Sequence, residues 1–146
     1  MLFRSRLSLI VNGSSVAGGD GFTARELWES RRLKSKFAPM VQRDGVVYGL
    51  DDGVLVALDP ATGERLWKRG RYGHGQVLLV DDLLLLVAED GDVVLIDPNP
   101  EELVEVARFA AVEGKTWATP ALAGDLLIVR SETEAACYRL PTEEGA

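Results

Sequence analysis

Residues 44–60 read D-G-V-V-Y-G-L-D-D-G-V-L-V-A-L-D-P. The stretch opens on Asp44, runs through apolar and β-branched residues, turns at Asp51-Asp52-Gly53, and returns through a second apolar run to Pro60. Asp, Asn and Gly are the residues that tight turns demand, and β-branched and aromatic residues favour strands, so the segment predicts a hairpin. Asp82–Pro98 and Asp125–Pro141 align with it without a gap, at offsets of 38 and 43 residues. A fainter copy lies upstream, where Asp20, Thr23 and Trp28 stand 39 residues before Asp59, Thr62 and Trp67. Self-similarity at about 40 residues marks a repeat architecture.

Reading outward, each unit holds four short strands in a meander. In the first they are expected at 38–42, 46–50, 54–59 and 64–68. In the second they are expected at 76–80, 83–88, 92–97 and 103–109. The third supplies 118–123, 126–130 and 135–140 and then stops. Leu83 to Val87 is apolar without a break, which suits a strand covered on both faces. Only 26–33 has helical propensity, and 29–36 reads as a linker.

Four strands per roughly 40 residues is the make-up of a β-propeller blade. A β-sandwich also turns every 8–12 residues or so, yet predicts no ungapped self-alignment. The expected fold is therefore an all-β propeller segment of about 3.5 four-stranded antiparallel blades. Its expected divisions are a partial blade at 5–36, blades at 37–73 and 74–113, an incomplete blade at 114–141 and a tail at 142–146.

Composition bounds function. The chain has 146 residues, 47% hydrophobic and 27% charged, with a formal net charge of −7. Nucleic-acid binding rests on clustered Lys and Arg, so this balance argues against it. The longest apolar run, Leu83–Ala88, falls far short of the ~20 residues a membrane helix needs. Arg4 and Arg6 precede Leu7–Val11, but Ser8 and the Asn12-Gly13 turn pair interrupt that run, so it reads as a strand rather than a secretory signal. The single cysteine, Cys137, lies in an apolar run and is expected to be a buried, inert thiol.

The segment Ala57-Leu58-Asp59-Pro60-Ala61-Thr62-Gly63-Glu64-Arg65-Leu66-Trp67 has the form A-x-D-x-x-T-G-x-x-x-W. It resembles the tryptophan-docking motif of the pyrroloquinoline-quinone (PQQ)-like repeat family, the propeller repeats of quinoprotein dehydrogenases and BamB-like outer-membrane assembly proteins. Gly18–Trp28 is a degraded copy that keeps Asp20, Thr23 and Trp28. The resemblance implies structural roles for Ala57, Asp59, Thr62, Gly63 and Trp67, with the indole docking between blades. Unit two departs from the motif at Asn99-Pro100-Glu101-Glu102, and in unit three Leu140 takes the Asp position. Family propellers have about seven or eight blades, so 3.5 implies either a longer propeller, of which this is the C-terminal portion, or copies assembled into a ring.

The loops before the inner strands are expected to face the central channel. His74, the one histidine, lies in such a loop with Arg71, and the corresponding loop of unit three carries Lys115 and Trp117. Arg71, His74, Lys115 and Trp117 form the candidate ligand cluster, suited to an anion or a sugar. The paired acids Asp51-Asp52, Asp81-Asp82 and Glu89-Asp90 recur at turns and read as hairpin chemistry. No nucleophile elbow, phosphate loop or metal-ligand spacing is present. The expected function is a non-catalytic scaffold for a protein or ligand, without cofactor and tending to oligomerise. The alternatives are a fragment of a PQQ- and calcium-dependent dehydrogenase and a self-assembling structural repeat. That enzyme class uses two adjacent cysteines at its cofactor, which a lone Cys137 does not supply. The resemblance implies a periplasmic or envelope location; a complete chain without a signal would be cytoplasmic.

Overall fold

The computed structural model describes residues 25–142. Most of the upstream repeat copy, Asp20 and Thr23 included, and the strand expected at Leu7–Val11 lie outside them. Among the described residues eleven strands form three antiparallel sheets. The first is β1 (Val41–Arg43), β2 (Val46–Asp51), β3 (Val54–Leu58) and β4 (Arg65–Arg71). The second is β5 (Gln76–Val80), β6 (Leu83–Val87), β7 (Asp92–Asp97) and β8 (Val104–Ala110). The third is β9 (Ala121–Ala123), β10 (Leu126–Arg130) and β11 (Ala135–Arg139). Strand order follows chain order in every sheet, which is the meander expected from the repeat.

The hairpin chemistry is that of the sequence. Asp44 and Gly45 have φ of 49° and 76°, and Asp52 and Gly53 have 48° and 82°. Positive φ at both central residues is the type I′ signature, whose twist matches that of paired strands. Several strands differ in extent from expectation. The first strands of units one and three are shorter, because Pro39 and Pro120 stand just before them and proline withholds an amide donor from the ladder. No helix forms at 26–33; the segment is irregular, with a bend at Arg31–Arg32, and its Trp28 meets the first sheet at Pro60 and Gly63.

Stacking of the sheets explains the unbroken apolar strand. Leu84 and Leu86 of β6 join the cluster shared with the first sheet, alongside Tyr48, Leu55, Ala57 and Trp67. Leu85 and Val87 join the cluster shared with the third, alongside Leu127 and Val129. Alternate residues of one strand thus serve opposite neighbours, as a two-residue period requires, and all four are fully buried. In β10 the pattern alternates instead: Leu127 and Val129 are buried, while Ile128 is 46% exposed.

Cys137 overturns its expectation. It is exposed, because it pairs with Ile128 on the face of the third sheet that has no neighbour among the described residues. An apolar run identifies a strand but does not say whether a further sheet covers it.

Candidate functional site

Each sheet is tied to the segment by which the chain enters it. The Glu89 amide donates to the Tyr72 carbonyl at 2.8 Å, Glu132 repeats this with Lys115 at 3.0 Å, and Asp52 with Lys34 at 3.2 Å. The acidic side chains at these turns bind the same entering segments. Asp51 Oδ1 accepts the Lys34 amide (2.8 Å), Glu89 Oε2 the His74 amide (2.8 Å) and Glu132 Oε1 the Lys115 amide (3.2 Å). Asp51 and Glu89, from two of the paired acids, and Glu132 therefore do more than turn the chain: they clamp the incoming loop, a role that turn chemistry alone did not reveal; Asp82 instead pairs with Arg43.

At the junction of the second and third sheets these clamps gather three of the four candidate side chains. Glu89 Oε2 also accepts the indole N–H of Trp117 at 3.0 Å. His74 packs edge-on to Trp117 with centroids 6.1 Å apart, and the Lys115 ammonium lies 4.6 Å from the Trp117 ring centroid, within cation–π range. The His74 amide, then the Trp117 N–H, hold the Glu89 carboxyl below its ordinary range, so at neutral pH it is a charged acceptor. Arg71 closes β4 opposite Val54 and takes no part in the hydrogen bonds or ring contacts of this cluster among the described residues.

Beside the cluster is an open cleft of about 450 Å³, lined by Lys115, Trp117, Ala118, Arg130, Ser131 and Glu132. Trp117 remains 47% exposed there. Arg130 and Glu132 escaped the sequence reading because they end a strand and form a turn, with no motif to mark them. Beneath, buried Gln76 donates through Nε2 to the carbonyls of Phe37 (2.9 Å) and Trp117 (3.1 Å), and its Oε1 accepts from the Thr119 hydroxyl (3.1 Å). One amide thereby joins the entry segments of all three sheets.

The motif residues lie in the β3–β4 turn and its neighbours. Asp59 Oδ1 accepts the Ala61 amide at 2.8 Å, Thr62 Oγ1 the Glu64 amide at 3.2 Å, and the Gly63 amide closes on the Asp59 carbonyl at 2.8 Å. Ala57 is fully buried and faces Trp67 across the strands. Trp67 Nε1 donates to the carbonyl of Asn99 in the second sheet at 2.8 Å, and Trp28 Nε1 to the carbonyl of Pro60 at 2.8 Å. Both acceptors are main chain, so the departure at Asn99 does not cost the bond. Asn99 Oδ1 meanwhile accepts the amides of Glu101 and Glu102, an Asx turn in place of the one at Asp59.

Among the described residues no three His, Cys, Asp or Glu side chains converge as a metal site, and no helix is long and apolar enough to cross a membrane. The described residues alone do not fit a quinone–calcium site: no carboxylate set converges among them, and Cys137 lies on the exposed face of the third sheet.

A family model described as "Outer membrane protein assembly factor BamB" matches residues 51–146. Comparison with curated proteins finds no match. Among solved structures the chain is similar to BamB from Moraxella catarrhalis, at 19% identity and a TM-score of 0.53 over 67% of this chain. The chain spans 29% of that BamB chain. It also aligns with the computationally designed Ika4 protein, at 12% identity and a TM-score of 0.44, over 82% of this chain and all of that one. The likeness to BamB makes the three stacked sheets an arc of a β-propeller, one that does not close on itself among the described residues.

Proposed function

The chain belongs to the BamB-like family of PQQ-repeat propellers, and from that premise we propose that it acts as a non-catalytic propeller scaffold that binds a partner at the Lys115–Trp117–Arg130 cleft. The observation that carries the reading is Trp117. Its indole is pinned by Glu89 and flanked by Lys115, yet it stays 47% exposed beside a cleft that Arg130 also lines. A rigid, half-exposed aromatic with two cations suits an extended acidic segment of a partner protein, since Trp and Arg are the residues that anchor interfaces. The neighbouring carboxylate supports binding over catalysis, because Glu89 is held charged by two donors and is poorly placed to deliver a proton.

The test is a fluorescence titration of the 146-residue chain with a hexaglutamate peptide, at low and high salt. The expected result is saturable binding that weakens with salt, weakens further in Lys115→Ala and Arg130→Ala, and loses its optical signal in Trp117→Phe. Equal behaviour of the native chain and the Lys115→Ala/Arg130→Ala double variant overturns the reading.

A further inference from the structure

The joint between sheets is built from repeated cross-strand rows. In the first sheet the row Val41–Tyr48–Ala57–Trp67 packs on the second through Tyr48, Ala57 and Trp67. In the second, the matching row is Leu78–Leu85–Leu95–Ala107. It packs on the third through Leu85 and Leu95. Register shifts fall at the same place in both, after Ala57 and after Leu95, which fixes the correspondence. In the third sheet the row is Ala121–Ile128–Cys137. Here all three residues are exposed: Ile128 stands 46% open where its counterpart Leu85 is fully buried.

The other end of the arc carries the complementary half of that joint. Trp28 donates to the Pro60 carbonyl as Trp67 does to Asn99, and its ring covers Gly63, where a Cβ would come within 2.6 Å of it. The head of the chain is therefore a blade-to-blade joint already occupied by an indole from a segment that, by sequence, ends a preceding blade. Among the described residues the Ile128 face of the third sheet has no sheet packed on it, while the head brings the end of a preceding blade.

We propose that the open face of the third sheet is covered by the first-sheet end of a second copy of this chain, led by its Trp28 segment, in a head-to-tail contact continuing the joint between the first two sheets. The inference rests on the propeller architecture, and the acidic-partner reading of the cleft is independent of it. Such a contact is heterologous: it closes into a ring if the rotation permits, and otherwise propagates. Apolar blade faces and strand edges left open are what closure removes.

Cys137 reports on the contact because it lies in the row to be covered, and thiol reactivity follows exposure. The experiment measures solution mass by light scattering and the maleimide labelling rate of Cys137 at roughly 50 µM chain and again at roughly 0.5 µM. The expected result at the higher concentration is a discrete multiple of 15.9 kDa with labelling slowed at least about tenfold, both reverting on dilution. Ile128→Asp, at a position open in the single chain, should give a monomer with unchanged far-UV circular dichroism and fast labelling. Trp28→Ala should also dissociate the assembly. A monomer at both concentrations with fast labelling overturns the proposal. So does a monomer with slow labelling, which would mean that the chain covers its own face, and so does an assembly whose mass Ile128→Asp leaves unchanged.

Discussion

The Trp67 indole reaches across the seam between the first and second sheets and donates to the main-chain carbonyl of Asn99 at 2.8 Å. Trp28 makes the same bond to Pro60, also 32 residues downstream. The second sheet breaks the series: Ala107 occupies the register position of Trp67 and is exposed. The arc is thus fastened by an indole at its head and at its first seam, while its second seam relies on the Leu85–Leu127 cluster, the Phe109–Tyr138 edge contact at 5.1 Å, and the Tyr138 hydroxyl on the Ala111 carbonyl.

The two indoles should differ in energetic weight because they differ in burial. Trp67 is 7% exposed and Trp28 is 37% exposed. Removing a buried Trp forfeits its transfer energy and leaves a cavity, so Trp67→Ala should cost about 3–5 kcal/mol. Trp28→Ala, less buried, should cost about 1–2 kcal/mol. Trp67→Phe keeps most of the ring but strands the Asn99 carbonyl, at about 1–2 kcal/mol. Urea unfolding of all three variants checks the ranking, and equal losses for the two alanine variants would refute it.

Gly63 and Gly45 separate conformation from contact. Both have positive φ, 73° and 76°, so alanine at either carries the left-handed penalty of about 1–2 kcal/mol. Only at Gly63 does the added Cβ meet a neighbour, Trp28 at 2.6 Å; at Gly45 nothing lies within 4 Å. Gly63→Ala should therefore be the costlier change, and the excess should vanish in a Trp28→Ala background. A double-mutant cycle should give a coupling of about 1 kcal/mol or more; additive losses would mean that the ring does not rest on Gly63.

What could be read from the sequence, and what could not, divides along physical lines. Strands, hairpins and the repeat follow from local rules, the two-residue period and Asp-Gly turns, and those that fall within the described residues appear at their sequence positions within a few residues. Seams depend on neighbours. Nothing in Ala135-Ala136-Cys137-Tyr138 says that the Cys137 side lies open while Tyr138 reaches the Ala111 carbonyl. The ungapped alignment also slips, because the hairpin turns differ in length. Leu50 pairs with Leu55 around Asp51–Val54, whereas Val87 pairs with Val93 around five residues. Tyr48 therefore matches Leu85, not Leu86 as the 38-residue offset implies. In the cleft, Trp117 and Lys115 were visible as unusual loop residues. Glu89 was not, because an acid at a turn looks the same whether or not it clamps a loop.

Acid should loosen the junction that Glu89 holds. The His74 amide first, then the Trp117 N–H, keep its folded pKa below the ordinary 4.5, against desolvation. The native state then binds fewer protons than the unfolded state in that range, so this contribution is full above about pH 4.5 and is lost as pH falls through the lowered folded value. Glu89→Gln should flatten the acid limb of the stability curve without abolishing it, since Asp51, Asp52 and Glu105 are also held low. Trp117 emission should shift over the same acid range in the native chain and not in Glu89→Gln. Superimposable acid limbs for the two proteins would show that the clamp does not titrate.

Gln76 makes the strictest demand on side-chain chemistry, because its amide is almost wholly buried and both of its ends are used. The two donor bonds go to carbonyls from different sheets' entry segments, and the acceptor bond comes from Thr119. Gln76→Leu fills the volume but strands two carbonyls and a hydroxyl, and should cost about 2–3 kcal/mol. Gln76→Glu is nearly isosteric and should be worse at neutral pH, because a carboxylate then faces two carbonyl oxygens without a proton to donate. Burial and those carbonyls raise the folded pKa of the introduced acid above its unfolded value. The sign is thus opposite to that of Glu89: the Gln76→Glu variant should regain stability as pH falls through the raised folded value, when the acid can donate again. Because one of the carbonyls is that of Trp117, either change should also weaken hexaglutamate binding at the cleft while leaving the Trp28–Pro60 fastening intact. Parallel pH–stability curves for Gln76→Leu and Gln76→Glu would show that the amide's polarity is immaterial and that Gln76 merely fills space.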